Sequence, residues 1–549
     1  MTSRPQPGDD QTLNLSLISH TNAGKTTLAR TLLGQDIGEV RDAAHVTQQA
    51  SSHPLLHSPQ GDLLVLWDTP GFGDSERLAR RLAQAGNPLG WLLTEVWDRF
   101  TDRPFWLTQR ALRHVAGPAD VVLYLVNASE SPTDVPWLDA EMQVLALIGK
   151  PVVVLLNQLG PPRSAEAESA ELQGWHQRLA GFERVREVLA LDAFARCWVQ
   201  EDHLWRAVAA VLPAPRQAVM TRLRQAWLQR SAARWEAAMH LLAACLGHLA
   251  ADRERLAEPA GWAERARQAG QALSHWAARG WSSLTGHPEA ADSAAVHPAL
   301  AEAQARLARR MDEALRQAGD GLVRLHGLGG QAGEVVRQRV QAAYQLAEPM
   351  APTRTALWSG LAGGAAAGLG ADLASGGLSL GAGALVGAVL GALGGMGLAQ
   401  GVNLVRGVDH AELRWQDAAL DEALTSALLT YLAVAHYGRG RGDFSAAEHP
   451  AHWPAVVRAA VAGEAAELHR QWATWRAAAD TRAAPGGNWG GSVAALDEAT
   501  DDWFQNALAL VLTRLSGRIL ATLYPKEAQT LARAEPMMPG LGANSGSAE

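Results

Sequence analysis

Two patterns of apolar positions divide the chain into an N-terminal α/β part and a longer helical part. Between residues 11 and 212, runs of Val and Leu alternate with segments of helical character. Near-continuous apolar runs separated by helices are typical of buried parallel strands. The predicted strands are Leu13–Ile18, Leu63–Trp67, Val121–Val126, Val152–Leu156 and, with a weaker signal, Val188–Leu191. We therefore expect residues 11–212 to form a mostly parallel sheet with helices on both faces.

The rest of the chain predicts a long all-α region. Pro213 and Pro215 mark the boundary, and residues 216–350 carry apolar positions three and four apart with Arg and Gln between them, as amphipathic helices do. Residues 408–531 return to this helical pattern. The remaining predicted segments are a polar tail at 1–10, a linker at 483–492 and a disordered tail at 532–549.

Residues 356–402 form a glycine-rich segment whose one charged residue is Asp372. Glycines recur every fourth position over Gly360–Gly368 and again over Gly387–Gly395, a spacing that lets helices approach closely in membranes. Residues 378–402 are long enough to span the hydrocarbon layer. We expect a hydrophobic hairpin that contacts membrane lipid. The alternative, a hairpin buried in a soluble helical bundle, stays open at this point.

Charge and cysteine content narrow the classes of function. The net charge is −8 without a basic stripe, so we expect no nucleic-acid partner. Cys197 and Cys245 lie far apart, which argues against a zinc or disulfide framework and fits a reducing cytosol. The first ten residues contain no apolar run, so we expect no secretory signal. These features predict a cytoplasmic protein.

The loop Ser19–Thr27 reads SHTNAGKTT between a predicted strand and a predicted helix. A strand, a loop ending in Gly-Lys-Thr and a helix form the arrangement that holds nucleotide phosphates. Backbone N–H groups and the helix dipole face the phosphates. Lys25 would reach the β- and γ-phosphates and Thr26 would ligate Mg²⁺. The other predicted binding residues of this loop are Asn22, Ala23, Gly24 and Thr27.

A second element, LLVLWDTPG over Leu63–Gly71, supplies candidate contacts to Mg²⁺ and to the γ-phosphate. Asp68 ends an apolar strand, where it would hold Mg²⁺, and the Gly71 N–H would contact the γ-phosphate. Between the two elements, Thr47 is the candidate that closes over Mg²⁺ and the γ-phosphate. The alternative for Thr47 is that it only begins a strand. The predicted catalytic residues are Lys25, Thr47 and Gly71, and the predicted metal ligands are Thr26, Thr47 and Asp68.

His20–Thr26 together with Asp68–Gly71 resembles the Era/EngA/TrmE-like branch of bacterial P-loop GTPases. The closest likeness is to members whose C-terminal half is a helical domain of unknown function. The resemblance implies GTP as substrate and Mg²⁺ as cofactor. In several relatives the Asn equivalent to Asn22 helps to bind K⁺, so the resemblance also implies a K⁺ site.

Two departures from the general GTPase pattern affect base recognition and hydrolysis. The guanine motif Asn-Lys-x-Asp is replaced by Asn157–Gly160, so Asn157 is present but the base-binding carboxylate is missing. Losing such a group can abolish discrimination, and ATP or mixed specificity stays open. The last base-contacting loop would lie near Asp192. Phe72 stands where many GTPases have the Gln that orients the attacking water.

The predicted function is that of a GTP-binding, Mg²⁺-dependent GTPase on the cytoplasmic face of the inner membrane. The glycine-rich segment would contact lipid, and the helical region would read the nucleotide state and offer a surface for a second copy or another protein. Three alternatives remain: a nucleotide-binding module with little or no hydrolysis, a soluble regulatory ATPase or GTPase with the glycine-rich hairpin buried in a helical bundle, and a mainly structural membrane protein with a vestigial nucleotide site.

Overall fold

The computed structural model describes a set of ranges that covers both parts of the chain. These are residues 9–20, 23–34, 51–72, 75–84, 103–159, 165–191, 197–255, 298–328, 402–406, 411–437, 452–482 and 498–534. Several predictions lie outside them: the hairpin at 356–402 apart from its last residue, the linker at 483–492, Asn22, Thr47, Gly160, Asp192 and most of both tails.

The N-terminal part is built on a six-stranded sheet with the order β2-β3-β1-β4-β5-β6. The strands are β1 (Thr12–Ser19), β2 (Ser51–His57), β3 (Leu63–Asp68), β4 (Val121–Asn127), β5 (Val152–Asn157) and β6 (Val185–Ala190). The helices are α1 (Lys25–Leu33), α2 (Ser75–Gln84), α3 (Arg103–Ala116), α4 (Trp137–Ile148), α5 (Ala165–Leu179) and α6 (Trp198–Val211). All pairings are parallel except that of the edge strand β2 with β3. The predicted α/β fold is confirmed.

The register of the central strands gathers their carboxyl ends at one edge of the sheet. Leu17 of β1 lies beside Asp68 at the end of β3 and beside Leu123 of β4. Asn127 ends β4 in register with Asn157, which ends β5. The residues predicted to hold a nucleotide follow these strand ends, where parallel sheets bind ligands.

The C-terminal part is dominated by helices around α7, which runs without a break from Ala214 to Ala251. The other helices are α8 (Pro298–Leu325), α9 (Asp417–Ala435), α10 (Trp453–Gly463), α11 (Ala465–Arg482), α12 (Glu498–Leu523) and α13 (Ala528–Ala534). Trp235, Trp472 and Trp475 are almost completely buried between them. A Cβ at Gly247 would lie 2.4 Å from the Trp475 ring, so glycine allows α7 and α11 to approach.

The prediction of an all-α region was incomplete, because this part also contains a small antiparallel sheet in the order β7-β9-β8. Its strands are β7 (Arg253–Arg255), β8 (Val402–Arg406) and β9 (Ala411–Trp415). The sequence AELRW of β9 alternates apolar and polar residues, which is the period of a strand. Leu413 and Trp415 of β9 are buried, so the alternation outweighs the helical character of the residues that follow.

The two parts share one apolar core, and α7 joins them. Pro213 precedes the first turn of α7 and Leu212 ends α6, so the predicted boundary is a change of helix rather than a flexible linker. The Arg216 guanidinium donates to the Thr12 carbonyl over 2.7 Å. One continuous cluster of buried residues runs from Leu13 of β1 to Ala534 of α13. The long helix therefore packs directly on the sheet.

Two of the described helices are long and apolar enough to cross a membrane by length and composition. They are Asp417–Ala435 and Asp502–Leu523, and 72% and 56% of their most apolar windows are buried inside the protein. A core helix of a helical bundle meets the same criterion, so their apolar character is explained by packing.

Candidate nucleotide-binding site

The loop between β1 and α1 turns sharply at Gly24, which precedes the first residue of α1. Gly24 has a φ of +85°, in the left-handed region that favours glycine. A Cβ at this position would also lie 2.6 Å from Asn157 Nδ2. Both observations require glycine, and the turn leaves the first N–H groups of α1 at the end of the sheet, where an anion is stabilised.

Lys25, the first residue of α1, extends back across the loop rather than into solvent. Its Nζ donates to Ser19 Oγ over 2.8 Å, and only 8% of the residue is exposed. Burial lowers the pKa of the Lys25 ammonium, while the charges of Asp68 and Glu141 act in the opposite direction. Ser19, which replaces the usual opening glycine, thus supplies an oxygen acceptor for the lysine.

Thr26 and Asp68 meet next to this lysine. Thr26 Oγ1 donates to Asp68 Oδ2 over 2.7 Å. Asp68 is buried, and its other oxygen, Oδ1, has no hydrogen-bond partner among the described residues. Burial raises the pKa of the Asp68 carboxyl, and Thr26 and Lys25 oppose that shift. A buried carboxylate oxygen beside a threonine hydroxyl is a donor set that suits Mg²⁺, so these residues fit the predicted metal.

The segment after Asp68 is held against β1 by main-chain and side-chain hydrogen bonds. Thr69 Oγ1 donates to the Leu17 carbonyl, and the Phe72 N–H donates to the Ser19 carbonyl over 2.8 Å. A Cβ at Gly71 would lie 2.8 Å from Lys25 Nζ. The Phe72 side chain is fully buried in the core beside α2. Glycine at position 71 therefore lets this segment approach the lysine, while Phe72 anchors it.

Asn157 has a contact that sequence reasoning missed. It ends β5, is fully buried, and its Nδ2 donates to the Ala23 carbonyl over 2.9 Å. Gln158, the next residue, has a φ of +59°. The structure thus shows a contact of Asn157 with the backbone of the phosphate loop, and its predicted contact with the base stays a prediction. The local motif does not reveal this contact, because the two residues are 134 positions apart.

Comparison with known families agrees with this geometry. Residues 14–158 match the family model described as 50S ribosome-binding GTPase. The N-terminal part of the chain is a P-loop GTPase domain. Residues 289–495 match a model described as a domain of unknown function, DUF3482. The predicted arrangement, a P-loop GTPase domain followed by a largely helical domain of unknown function, is thereby confirmed.

Solved structures with a similar fold include two of Era. A variant of Aquifex aeolicus Era bound to GDP and AlF₄⁻ is 18% identical, with 41% of this chain and 68% of that chain covered and a TM-score of 0.28. Era in complex with MgGDPNP and a 16S ribosomal RNA fragment is also 18% identical, with 41% and 67% covered and a TM-score of 0.27. A variant of SsGBP is 14% identical, with 39% and 55% covered and a TM-score of 0.22.

The GTPase domain contains one further buried polar group beside the phosphate loop. Glu141 of α4 is fully buried and accepts hydrogen bonds from His20 Nδ1 at 2.7 Å and from the Tyr124 hydroxyl at 2.5 Å. Sequence reasoning missed it. A signal existed, since Glu141 lies within one helical turn of Leu138 and Leu145, both buried on the inner face of α4.

The structure brings together most of the predicted site residues that it describes. Lys25, Thr26, Asp68 and Gly71 lie around one point, and Asn157 lies behind the loop. Ala23 and Thr27 are buried supports of the loop and of α1. The predicted contacts of Asn22, Thr47 and Asp192 lie outside the described residues and stay predictions.

Proposed function

We propose that this protein binds GTP with Mg²⁺ and hydrolyses its γ-phosphate bond. The observation that carries the proposal is the hydrogen bond from half-buried Thr26 to buried Asp68, whose other carboxylate oxygen has no partner among the described residues, next to the Lys25 ammonium. A nucleoside triphosphate with its Mg²⁺ would supply a cation for the carboxylate of Asp68 and phosphate anions for the ammonium of Lys25. Burial strengthens such electrostatic contacts because the local dielectric is low.

Each residue has a proposed role in holding the triphosphate. Lys25 would bind the β- and γ-phosphates, and the N–H of Gly71 would bind the γ-phosphate. Thr26 and Asp68 would hold Mg²⁺, with Thr47 as a further ligand. The metal would neutralise charge on the phosphates. Loss of the γ-phosphate would then release the Thr47 and Gly71 segments, as in other nucleotide switches.

Phe72 leaves the attacking water without the usual glutamine. Its side chain is buried in the core, so another group must orient the water. We propose K⁺, bound with the help of Asn22, as that group. Phosphate release should then be several-fold faster in K⁺ than in Na⁺, and equal rates would exclude this role for the cation.

The helical region is the proposed reader of the nucleotide state. In support, α7 packs against β1, β2 and β3. β1 leads into the phosphate loop, β2 follows the segment that contains Thr47, and β3 leads into the segment that contains Gly71. We further propose that the protein acts at the cytoplasmic face of the inner membrane through residues 356–402. The support for this location is the glycine-rich, apolar sequence of that segment, in which Asp372 is the one charged residue.

Nucleotide binding is tested by titrating fluorescent GTP and ATP analogues, with Mg²⁺ or with EDTA. Lys25→Ala should abolish binding, because it removes the ammonium next to Asp68. Lys150→Ala is the matched control, since Lys150 is another lysine of the same domain and its Nζ donates to the Gly117 carbonyl, at 3.4 Å, in an exposed hydrogen bond. Equal affinity of Lys25→Ala and Lys150→Ala for GTP would contradict the proposed site.

Turnover and membrane contact need separate assays. Phosphate release from GTP at rates above the Lys25→Ala background supports the enzyme, while binding without release favours the nucleotide-binding module. Sedimentation of the full chain with phosphatidylethanolamine–phosphatidylglycerol vesicles, with and without GTP, tests the membrane. A chain that stays in the supernatant under both conditions would contradict membrane association.

A further inference from the structure

Glu141 and Tyr124, both fully buried, form a three-residue cluster with the half-buried His20 beside the phosphate loop. One Glu141 oxygen accepts from His20 Nδ1 at 2.7 Å and the other accepts from the Tyr124 hydroxyl at 2.5 Å. The His20 ring also stacks on Trp137, with ring centroids 4.4 Å apart and an 11° angle between the planes. The His20 side chain therefore has one fixed orientation, set from α4 and β4.

Burying a carboxylate in this way is unfavourable unless its partners stabilise it. Burial raises the pKa of Glu141, and the hydrogen bond and charge of His20 act to lower it again. Burial and the Glu141 charge also raise the pKa of Tyr124. Apolar side chains in place of Glu141 and Tyr124 would fill the same space without the cost of burying a carboxylate. What the cluster adds is a fixed position for the loop residue His20.

His20 lies on the side of the phosphate loop that faces Gly71. It pairs with Phe72 as a short parallel bridge, and the Ser19 carbonyl before it accepts the Phe72 N–H. Gly71, the proposed γ-phosphate contact, is the residue immediately before that bridge. The α- and β-phosphate side of the loop, near Gly24, is anchored separately by Asn157 through the Ala23 carbonyl.

We propose that Glu141 and His20 are positioning residues that set how strongly this site prefers a nucleoside triphosphate over a diphosphate. The inference rests on the proposed function. By fixing His20, Glu141 fixes the Ser19–Phe72 contact and hence the place of Gly71. A diphosphate does not reach Gly71, so loss of the cluster weakens triphosphate binding more than diphosphate binding.

The test compares two variants of His20. Asn carries its Nδ2 where His carries Nδ1, so His20→Asn keeps a donor toward Glu141, whereas His20→Leu removes it. Affinities for a non-hydrolysable GTP analogue and for GDP are measured by fluorescence titration. We expect His20→Leu to lower the GTP-analogue preference about tenfold, the size of one lost hydrogen bond to a buried charged group. His20→Asn should restore most of the preference.

A second pair of variants tests Glu141 itself. Glu141→Gln should lower the preference in the same direction as His20→Leu. Asp139→Asn is the matched control, because Asp139 lies on the same helix but is 54% exposed and pairs with Arg178 at the surface. It should leave the preference unchanged. Thermal unfolding of every variant shows whether a change in preference is separate from a change in stability.

The possible outcomes separate this inference from the proposed function. If the unmodified chain binds both nucleotides but His20→Leu and Glu141→Gln keep its preference within twofold, the positioning role is wrong and the proposed function stands. A parallel loss of affinity for GDP and for the GTP analogue also contradicts it. If the unmodified chain binds no guanine nucleotide, the proposed function is wrong and this inference falls with it.

Discussion

Replacing Asn157 by Ala separates two roles that this residue can have in nucleotide binding. Asn157 was predicted as a base contact, but its Nδ2 donates to the Ala23 carbonyl inside the protein. Asn157→Ala removes that donor and leaves the buried carbonyl unpaired. Because the variant is also smaller, the loop gains freedom next to Gly24, whose left-handed turn is packed against Asn157.

The magnitude follows from the geometry. Leaving one buried acceptor unpaired costs about 1–3 kcal/mol, which corresponds to about a 5- to 150-fold weaker Kd if the loop is ordered only with nucleotide bound. An anchor of the loop acts on the phosphates, so the loss should be equal for GTP, ATP and inorganic tripolyphosphate. Loss of a base contact would instead leave the affinity for tripolyphosphate, which has no base, unchanged.

The assay is competition of each compound against a fluorescent GTP analogue. Asn127→Ala is the matched control, because Asn127 ends the neighbouring strand in direct register with Asn157 and bonds locally with Ser129. It should leave all three affinities within about twofold. Weakened GTP binding together with unchanged tripolyphosphate binding in Asn157→Ala would refute the anchoring role.

Three further changes test the metal site and the packing of the helices. Asp68→Asn keeps an acceptor for the Thr26 hydroxyl but loses the charge, so GTP affinity in Mg²⁺ should fall to the value that unmodified protein shows in EDTA; a remaining Mg²⁺ effect would argue against this ligand. Gly247→Ala should lower the free energy of unfolding in urea by about 1–3 kcal/mol, since its Cβ meets a rigid ring at 2.4 Å, whereas Gly319→Ala, with its nearest atom at 3.7 Å, should raise it by about 0.5–1 kcal/mol. Burial acts to raise the pKa of Asp202, but hydrogen bonds from Arg224 and Thr530 outweigh it and hold the pKa below its usual range; Asp202→Asn should therefore be about 3 kcal/mol less stable at pH 7, and this difference should shrink as the pH falls below about 4, where the unfolded chain first binds the proton, and on through the lower pKa of the folded state.

The fold of the GTPase domain follows from its sequence wherever strands are buried on both faces. β4 and β5 are continuous runs of Val and Leu, and both were predicted almost to the residue. β2 was not predicted, because SSHPLLH is polar and contains Pro54. An edge strand tolerates proline, since one side of it needs no donor, and here the register shifts between Pro54 and Leu56. A strand that depends on its neighbour carries little signal of its own.

The small sheet in the helical part shows a second limit of sequence reasoning. β7 pairs with β9, whose residues lie more than 150 positions further along the chain. Arg253 and Arg414 face carboxylates of Glu412 and Asp480, so much of its surface is charged and resembles the polar face of a helix. The pairing depends on contacts between distant parts of the chain. An alternation over five residues is too short to predict a strand when the neighbouring sequence has a strong helical pattern.

The candidate site was predictable where one local motif fixes both the residue and its neighbours. Lys25, Thr26 and Asp68 are examples, because parallel strands must end at the same edge of the sheet. The contacts of Glu141 and Asn157 were not predictable, since each joins elements that are more than 100 residues apart. Such contacts decide the orientation of the loop rather than its chemistry.

Ser19 and Phe72, each of which departs from the usual GTPase sequence, have different consequences for the site. Ser19 adds an acceptor for Lys25, so we expect phosphate binding to be retained. Phe72 fills the core with its side chain, while its N–H makes the bond to Ser19 that any non-proline residue could make. The segment next to Gly71 is therefore held by both the buried side chain and the backbone bond of Phe72. In the proposed reaction a phenylalanine at this position cannot orient the attacking water, so we expect nucleotide affinity and hydrolysis rate to respond to different residues in this protein.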